Sequence, residues 1–176
     1  MKEQEHKNEI LKSRIGGFGG SDARLFYTIA SKGVNKLSAT DLFRISVAKG
    51  ERELKPIPET PAMAAGHAFE DYVEKLLLKK KGFEREVKLN LRLSDKFDTF
   101  AHVDFYNAET NTVVECKFTQ GNIEKTSKSY YAQLQWYYML GAERVILYNG
   151  HGDVNDMLTT GAVENIEIEE IERDEI

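Results

Sequence analysis

A glutamate and a lysine placed two residues apart are the strongest chemical signal in this sequence. Glu115 and Lys117 lie in the run VVECKFT at residues 113–119, whose apolar and β-branched content predicts a β-strand. Successive side chains of a strand point to opposite faces. Glu115 and Lys117 therefore share one face, and the apolar residues between and beside them take the other, namely Val114, Cys116 and Phe118.

Asp104 lies on a second apolar run just upstream, and the polar segment at residues 107–111 separates the two runs. This pattern predicts a β-hairpin whose folding brings Asp104 beside Glu115 and Lys117. Two carboxylates and a lysine among apolar residues are costly to bury, and a divalent cation would remove most of that cost. Carboxylate oxygens suit Mg²⁺ or Mn²⁺. Taken alone, however, a Glu-x-Lys pair on a strand more often marks a solvated face with a weak ion pair.

Length and composition narrow the classes of protein. The chain has 176 residues, one cysteine and a net charge of −5, which predicts a single domain over residues 1–176, with residues 1–12 as a loose arm or a short helix. One cysteine excludes a disulfide framework and favours a cytoplasmic protein. No apolar run is long enough to span a membrane, and the N-terminus has no signal-peptide core. Acidic residues concentrate at residues 164–175, so the net charge does not exclude a local basic groove.

A glycine-rich segment, RIGGFGGSDA at residues 14–23, precedes a helix that we expect over residues 23–30. Ser21 or Asp22 is the expected N-cap. A glycine-rich turn before a helix N-terminus presents unpaired N–H groups to an anion, and Arg14 would add a bidentate phosphate contact. A flexible loop with an ordinary helix cap explains the same residues equally well.

The other elements follow from periodicity and capping residues. A second helix is expected at residues 37–50, with Leu42, Phe43 and Val47 on its buried side. A longer helix begins at Thr60 and Pro61 and closes at Gly82. The remaining pattern predicts a strand at residues 83–93, a polar loop at 120–128, a helix at 129–140 with a core stripe of Tyr130, Leu134 and Tyr138, a strand at 143–148 and an edge strand at 163–171.

Four residues fit poorly with simple packing patterns. Gly66 lies inside the long helix, where glycine costs about 1 kcal/mol relative to alanine, and Glu70 stands one turn later on the same face. We expect Gly66 to let the helix backbone pack closely against a sheet or a phosphate, with the Glu70 carboxylate leaning over it, although a tolerated glycine and a surface glutamate are the simpler reading. Gln133 and Gln135 lie on an otherwise apolar helix and need hydrogen-bond partners if they are buried.

The ordered set of motifs resembles the PD-(D/E)XK nucleases and, more narrowly, the lambda-exonuclease or YqaJ-type viral recombinase branch. The segments that carry the resemblance are RIGGFGGSDA at residues 14–23, AMAAGHAFE at 62–70, HVDF at 102–105, VECKFT at 114–119, YYAQLQWYYM at 130–139 and IERDE at 171–175. The resemblance implies an α/β fold, a restriction-endonuclease-like core with a central mixed β-sheet flanked by helices. Val103 stands where the family often has proline, and the chain ends where the family usually continues into a C-terminal helix.

The resemblance also implies roles for individual residues. Asp104 and Glu115 would hold Mg²⁺, for which Mn²⁺ would substitute, together with the backbone carbonyl of Cys116. Lys117 would orient or deprotonate the attacking water and stabilise charge in the transition state. The remaining implied roles are Glu70 supporting a second metal or its waters, Gln133 positioning Lys117 or the water, and Arg14 with Ser21 holding a terminal 5′-phosphate.

The expected activity is that of a metal-dependent DNA exonuclease of phage or prophage recombination type, which degrades the 5′-ended strand of linear duplex DNA in a bacterial cytoplasm. The resemblance implies double-stranded DNA ends as substrate, a single-strand annealing protein as partner and a homo-oligomer, notably a trimeric ring. The alternatives are a RecB-like or endonucleolytic nuclease of the same fold and a non-catalytic DNA-binding module.

Overall fold

The structure is a computed structural model that describes residues 12, 14–77, 82–92, 95 and 97–174. The arm expected at residues 1–12 lies outside the described residues, apart from Lys12. The described residues form two compact units, the first within residues 1–58 and 89–101 and the second within residues 59–88 and 102–176. Strands β2 and β3 contribute residues to both units. In chain order the elements are β1 (Gly17–Phe18), α1 (Ala23–Lys32), α2 (Ala39–Ala48), α3 (Pro61–Leu77), β2 (Phe83–Arg92), β3 (Asp98–Asn107), β4 (Thr112–Thr119), α4 (Ile123–Met139), β5 (Arg144–His151), α5 (Val154–Thr160) and β6 (Asn165–Ile171).

The six strands form one mixed sheet in the order β1-β3-β4-β5-β6, with β2 also paired to β3. β1 runs parallel to the first residues of β3, and β3 runs antiparallel to β4. β4 and β5 are parallel along their whole length and are connected by α4, because a parallel pair needs a long crossover. β6 lies antiparallel at the edge, as its acidic sequence predicts. The predicted fold class, a central mixed sheet flanked by helices, is confirmed.

The hairpin between β3 and β4 is joined to the connection that follows α4. Asn111, the last residue of the turn at 108–111, has a left-handed backbone with φ of 47°, a conformation that asparagine tolerates better than most residues. Its backbone carbonyl accepts the N–H groups of Glu143 at 3.0 Å and Arg144 at 3.3 Å. Its side-chain amide donates to the carbonyl of Gly141 at 2.7 Å. One asparagine therefore fixes the positions at which β4 and β5 both begin.

In the second unit, α3 packs one face against the sheet through residues spaced four apart, as helical periodicity predicts. The core cluster consists of Ala65, Phe69, Val73 and Leu77 of α3 with Phe105, Val114, Cys116, Tyr148 and Met157. Gly150 of β5 is required by this packing, because a Cβ atom there would lie 2.5 Å from the Phe69 ring. Gly66 behaves differently. A Cβ atom at Gly66 would meet no described protein atom within 4 Å, so the expectation that the helix packs closely against the sheet at Gly66 is wrong, and close approach of a phosphate there stays a prediction.

Two expectations about α2 and α4 differ from the structure. Leu42 is 54% exposed, and Arg44 occupies the buried side of α2 instead. α4 begins at Ile123 rather than residue 129, because the Asn122 side chain caps it by accepting the N–H of Lys125. The short helix α5 was not expected. No helix in the described part of the chain has both the length and the apolar character needed to cross a membrane.

The different surroundings of Gly66 and Gly150 allow the packing to be tested. Gly66→Ala should raise the free energy of unfolding by about 0.5–1 kcal/mol, since alanine favours the helix and finds open space. Gly150→Ala should lower it by at least about 1 kcal/mol, because the new Cβ atom would overlap Phe69. Urea unfolding followed by circular dichroism measures both, and a destabilised Gly66→Ala protein would contradict the assignment of open space at this position.

Candidate active site

The candidate site lies in the second unit, where β3 and β4 separate. Their paired register runs from Asn107 with Thr112 to Phe105 with Val114 and goes no further. Beyond this point the side chain of Asp104 takes the place of a backbone hydrogen-bond partner, since its Oδ2 atom accepts the N–H of Cys116 at 2.7 Å. β4 stays paired with β5 throughout, so the residues that follow Val114 are held by the sheet on one side only.

Glu115 is the most enclosed acidic group of this site, with 2% of the residue exposed. Its Oε1 atom accepts hydrogen bonds from the ammonium of Lys117 and from Nε2 of Gln133, the latter at 2.9 Å. Its Oε2 atom accepts from the hydroxyl of Tyr137 at 2.6 Å. Gln133 also donates to that hydroxyl at 2.6 Å. A Gln-x-x-x-Tyr turn of α4 thus orients the carboxylate, as the i, i+4 spacing allows.

Lys117 is partly covered, with 19% of its side chain exposed. Its Nζ atom lies 4.4 Å from the centre of the Tyr130 ring, within cation–π distance. Burial by itself would lower the pKa of Lys117, but the charges of Glu115 and Asp104 together raise that pKa above its ordinary value. Lys117 is therefore an ammonium ion paired with Glu115.

The carboxylates of the site repel one another. Burial raises the pKa of Asp104 well above its ordinary value, Glu115 and Glu70 raise it further, and Lys117 opposes them. Burial likewise raises the pKa of Glu70, against the charge of Arg85, which pairs with Glu70 at 3.1 Å. Three acidic groups from α3, β3 and β4 are thus close enough to influence one another's ionisation.

This donor set fits a hard divalent cation. In the described ranges, no three Asp, Glu, His or Cys side chains enclose an ion position as they stand. The chemistry of the site is nevertheless suitable, because its ligand atoms are carboxylate oxygens whose mutual repulsion a dication would relieve. The N–H of Cys116 faces Asp104. Since the amide and carbonyl of one strand residue point to the same edge, the carbonyl of Cys116 points toward the β3 edge of β4.

The predicted phosphate residues Arg14 and Ser21 lie together in the first unit. Nη2 of Arg14 donates to Oγ of Ser21 at 2.9 Å, and both side chains line a groove of 750 Å³ that also contains Arg24. Burial lowers the pKa of Arg14, and the charge of Asp22 opposes this effect. Asp22 is the N-cap residue of α1, as the sequence predicts, but its side chain makes no cap hydrogen bond to that helix.

The side chain of Asp22 is engaged by Arg44, which sequence reasoning missed. Arg44 is only 8% exposed. Its Nε and Nη2 atoms donate to the two oxygens of Asp22, each at 2.7 Å, and the guanidinium also donates to the backbone carbonyls of Arg14 at 3.2 Å and Gly17 at 2.9 Å. Four hydrogen bonds from one arginine therefore fix the glycine-rich segment that presents Arg14 and Ser21.

The structure brings the expected residues together in two groups. The second unit unites Asp104, Glu115, Cys116, Lys117, Gln133 and Glu70, and the first unit unites Arg14 and Ser21. Tyr137, Arg85 and Arg44 were not assigned to either group from the sequence. For Tyr137 a signal existed in the Gln-x-x-x-Tyr pattern, whereas Arg85 and Arg44 pair with acidic residues too distant along the chain to be recognised.

Comparison with known proteins supports this description at the level of the fold. No family model and no curated protein sequence matches the chain. Among solved structures, the phage-related exonuclease from Haemophilus somnus 129PT has a TM-score of 0.57 at 14% identity, over 87% of this chain and 83% of that chain. The alkaline exonuclease LHK-Exo from Laribacter hongkongensis has a TM-score of 0.61 at 16% identity, over 95% and 82%. Its complex with dAMP has a TM-score of 0.60 at 20% identity, over 95% and 83%.

The chain therefore has the fold of the phage-type exonucleases, and the resemblance that the sequence indicates is confirmed for the architecture. At these identities the likeness establishes the fold, whereas an activity must be inferred from the site itself.

The crowded carboxylates predict a stability effect in the absence of metal. Because the pKa of Asp104 is higher in the folded protein than its unfolded value of about 3.9, its ionised form destabilises the fold, and that cost appears as pH rises through the folded pKa. Asp104→Asn should therefore stabilise the protein in EDTA, by little at pH 4 and increasingly toward pH 8, while the amide oxygen still accepts the Cys116 N–H.

Urea unfolding in EDTA at several pH values tests this effect. Asp95→Asn is the matched control, because the Asp95 side chain is fully exposed and its removal should give no pH-dependent gain. A variant at Asp104 that is less stable than wild type at pH 8 would contradict the charge crowding.

Proposed function

We propose that this protein is a metal-dependent deoxyribonuclease that degrades the 5′-ended strand of linear duplex DNA. The observation that carries the proposal is the Glu115 carboxylate, which Lys117, Gln133 and Tyr137 orient beside Asp104 at the strand separation. A phosphodiester hydrolase needs carboxylates for a metal and a cation for the phosphate in one place. The fold shared with structures named exonucleases supports the same reaction class.

In this proposal Asp104, Glu115 and the carbonyl of Cys116 hold the ion, with Mg²⁺ as the physiological metal and Mn²⁺ as a substitute. A bound Mg²⁺ would supply an activated water and neutralise charge on the phosphate oxygens. Tyr137 and Gln133 keep the Glu115 carboxylate in one orientation, so that less ordering is required when the ligand set forms. Glu70 lies beside these ligands and contributes negative charge to the site.

Lys117 supplies the cation that the reaction requires next to the scissile phosphate. Its ammonium is held between Glu115 and the face of Tyr130, so it orients the attacking water and stabilises the charge that develops on the phosphate. Gln133 bonds the same Oε1 atom of Glu115 that Lys117 bonds, and thereby limits the positions that the ammonium can take.

The groove of the first unit is the proposed site for the terminal 5′-phosphate. Arg14 provides a guanidinium and Ser21 a hydroxyl, a combination that recognises phosphate oxygens. The four hydrogen bonds of Arg44 keep the segment in place. LHK-Exo has been solved in complex with dAMP, a deoxynucleoside monophosphate, and we propose that this chain releases mononucleotides.

The biological setting follows from the same proposal. An enzyme of phage recombination type would act in the bacterial cytoplasm, resect duplex ends and pass the exposed strand to a single-strand annealing protein. A homo-oligomer, such as a trimeric ring around the duplex, would keep the enzyme on its substrate between successive cleavages.

Cleavage assays test the nuclease proposal. Wild type, Glu115→Ala and Lys117→Ala are incubated with linear duplexes and with a closed circle, in Mg²⁺ or in EDTA. We expect Mg²⁺-dependent loss of the 5′-ended strand of linear DNA, no action on the circle, and a fall of at least about 10³-fold in both variants with DNA binding retained by Lys117→Ala. Lys128→Ala, which removes an exposed lysine of α4, is the control. Cleavage of the circle would indicate an endonuclease, and near-normal activity of Lys117→Ala would disprove the assigned role.

End recognition has a separate test. Arg14→Ala should reduce cleavage of 5′-phosphorylated ends by about 10-fold to 100-fold, equivalent to one or two charge-assisted hydrogen bonds, and should change cleavage of 5′-hydroxyl ends little. Lys36→Ala, an exposed lysine of the same unit, controls for a general loss of positive charge. An equal loss on both kinds of end would remove the phosphate role from Arg14.

A further inference from the structure

Arg85 of β2 binds three carboxylates of α3. Its Nη1 atom contacts Asp71 at 2.6 Å and Glu74 at 2.9 Å, and its Nη2 atom contacts Glu70 at 3.1 Å. The guanidinium centre also lies 5.9 Å from the centre of the Phe105 ring. A guanidinium held by several partners has a fixed position and cannot be deprotonated. Arg85 is therefore a permanent positive charge attached to Glu70.

The position of this charge relates it to the candidate metal site. Phe105, which follows Asp104 on β3, packs in the core against α3, so Arg85 lies on the α3 face of the strand that carries a proposed ligand. Glu70 is near enough to raise the pKa of Asp104, and Glu115 raises the pKa of Glu70. Glu70 thus has two competing neighbours, the carboxylate pair at which an ion would bind and the guanidinium of Arg85.

We infer that Arg85 acts as a resident counter-cation at Glu70 and occupies the carboxylate that a second divalent ion would need. This inference rests on the proposed metal-dependent function. One ion binds tightly through Asp104 and Glu115, and a second ion binds only when the pair between Glu70 and Arg85 opens. Arg85 is a positioning residue that sets how many ions the protein holds at a given metal concentration.

Two properties of Arg85 disfavour a second ion at Glu70, namely its positive charge and its hydrogen bond to a Glu70 oxygen. A guanidinium on Glu70 repels an incoming dication and also engages a carboxylate oxygen that would otherwise be free to ligate it. Asp71 and Glu74 bind the Nη1 atom of the guanidinium. These two ion pairs keep Arg85 in place when a metal ion approaches Glu70. Removal of the guanidinium should therefore strengthen the binding of a second ion.

Mn²⁺ binding, measured by electron paramagnetic resonance of free Mn²⁺ and by calorimetry, tests the inference without relying on catalysis. Wild type should bind one ion tightly and a second ion weakly. Arg85→Gln should bind the second ion at least about tenfold more tightly, and Arg85→Gln combined with Glu70→Gln should lose that gain. Glu74→Gln, which removes a different partner of Arg85, is the matched control and should behave as wild type. Arg85→Lys keeps the charge and should show no gain in second-ion affinity.

Glu70→Gln in the otherwise unchanged protein gives a second readout that does not depend on the folding of an Arg85 variant. Because a second ion would need the Glu70 carboxylate, Glu70→Gln should remove the weak second-ion binding of wild type, and unchanged second-ion binding would overturn the inference. Equal second-ion affinity in wild type and folded Arg85→Gln would also overturn it, while the proposed metal site would stand. If neither wild type nor any variant binds Mn²⁺, and Glu115→Gln behaves identically, the proposed function fails and the inference fails with it.

Discussion

The hydrogen bond from the Cys116 N–H to the carboxylate of Asp104 is the interaction on which the candidate site depends. It satisfies a backbone donor that loses its strand partner where β3 and β4 separate, and an unpaired buried N–H would cost roughly 1–3 kcal/mol. The same bond places a carboxylate between the strands, next to Glu115. The opening of the sheet and the concentration of negative charge therefore have one structural origin.

Charge balance explains why cationic side chains lie around this bond. Isolated carboxylates are not tolerated at this degree of burial without cations. Lys117 compensates from the face that α4 covers, and Arg85 compensates from α3 and β2. The carboxylates of Glu70, Asp104 and Glu115 still outnumber these two cations, and Asp71 and Glu74 share Arg85. The protein thus retains stability with a local excess of negative charge. A dication gains the most free energy when it binds at such an excess.

Local patterns were sufficient to predict the centre of the fold. Alternation over a few residues predicts the hairpin, the shared face of Glu115 and Lys117, and the apolar face opposite them. This alternation is a property of the strand itself. The start of α3 at Pro61 and the edge position of β6 were equally readable, because proline at a first turn and acidic residues on an edge strand are local signals.

Elements fixed by distant partners were not predictable in this way. Residues 123–128 have no apolar periodicity and form part of α4 because Asn122 caps the helix and the Asn149 side chain bonds Ile123 and Ser127 from β5. Arg44 is buried because Asp22, 22 residues earlier, neutralises it and because the carbonyls of Arg14 and Gly17 accept its remaining hydrogen bonds. In the candidate site, residue types predicted which groups assemble, but the bonds that orient Glu115 and restrain Glu70 depend on packing between helices and strands.

The side chain and carbonyl of Asn111 have a consequence for how this fold can vary in length. Because Asn111 binds Gly141, Glu143 and Arg144 at once, the hairpin turn and the connection before β5 form a single unit of fixed size. An insertion in either loop would detach the other and shift the register of β4 against β5, and with it the spacing of Glu115 and Lys117 from α4. Accepted insertions should therefore fall elsewhere, as in the exposed, proline-containing segment at residues 51–59.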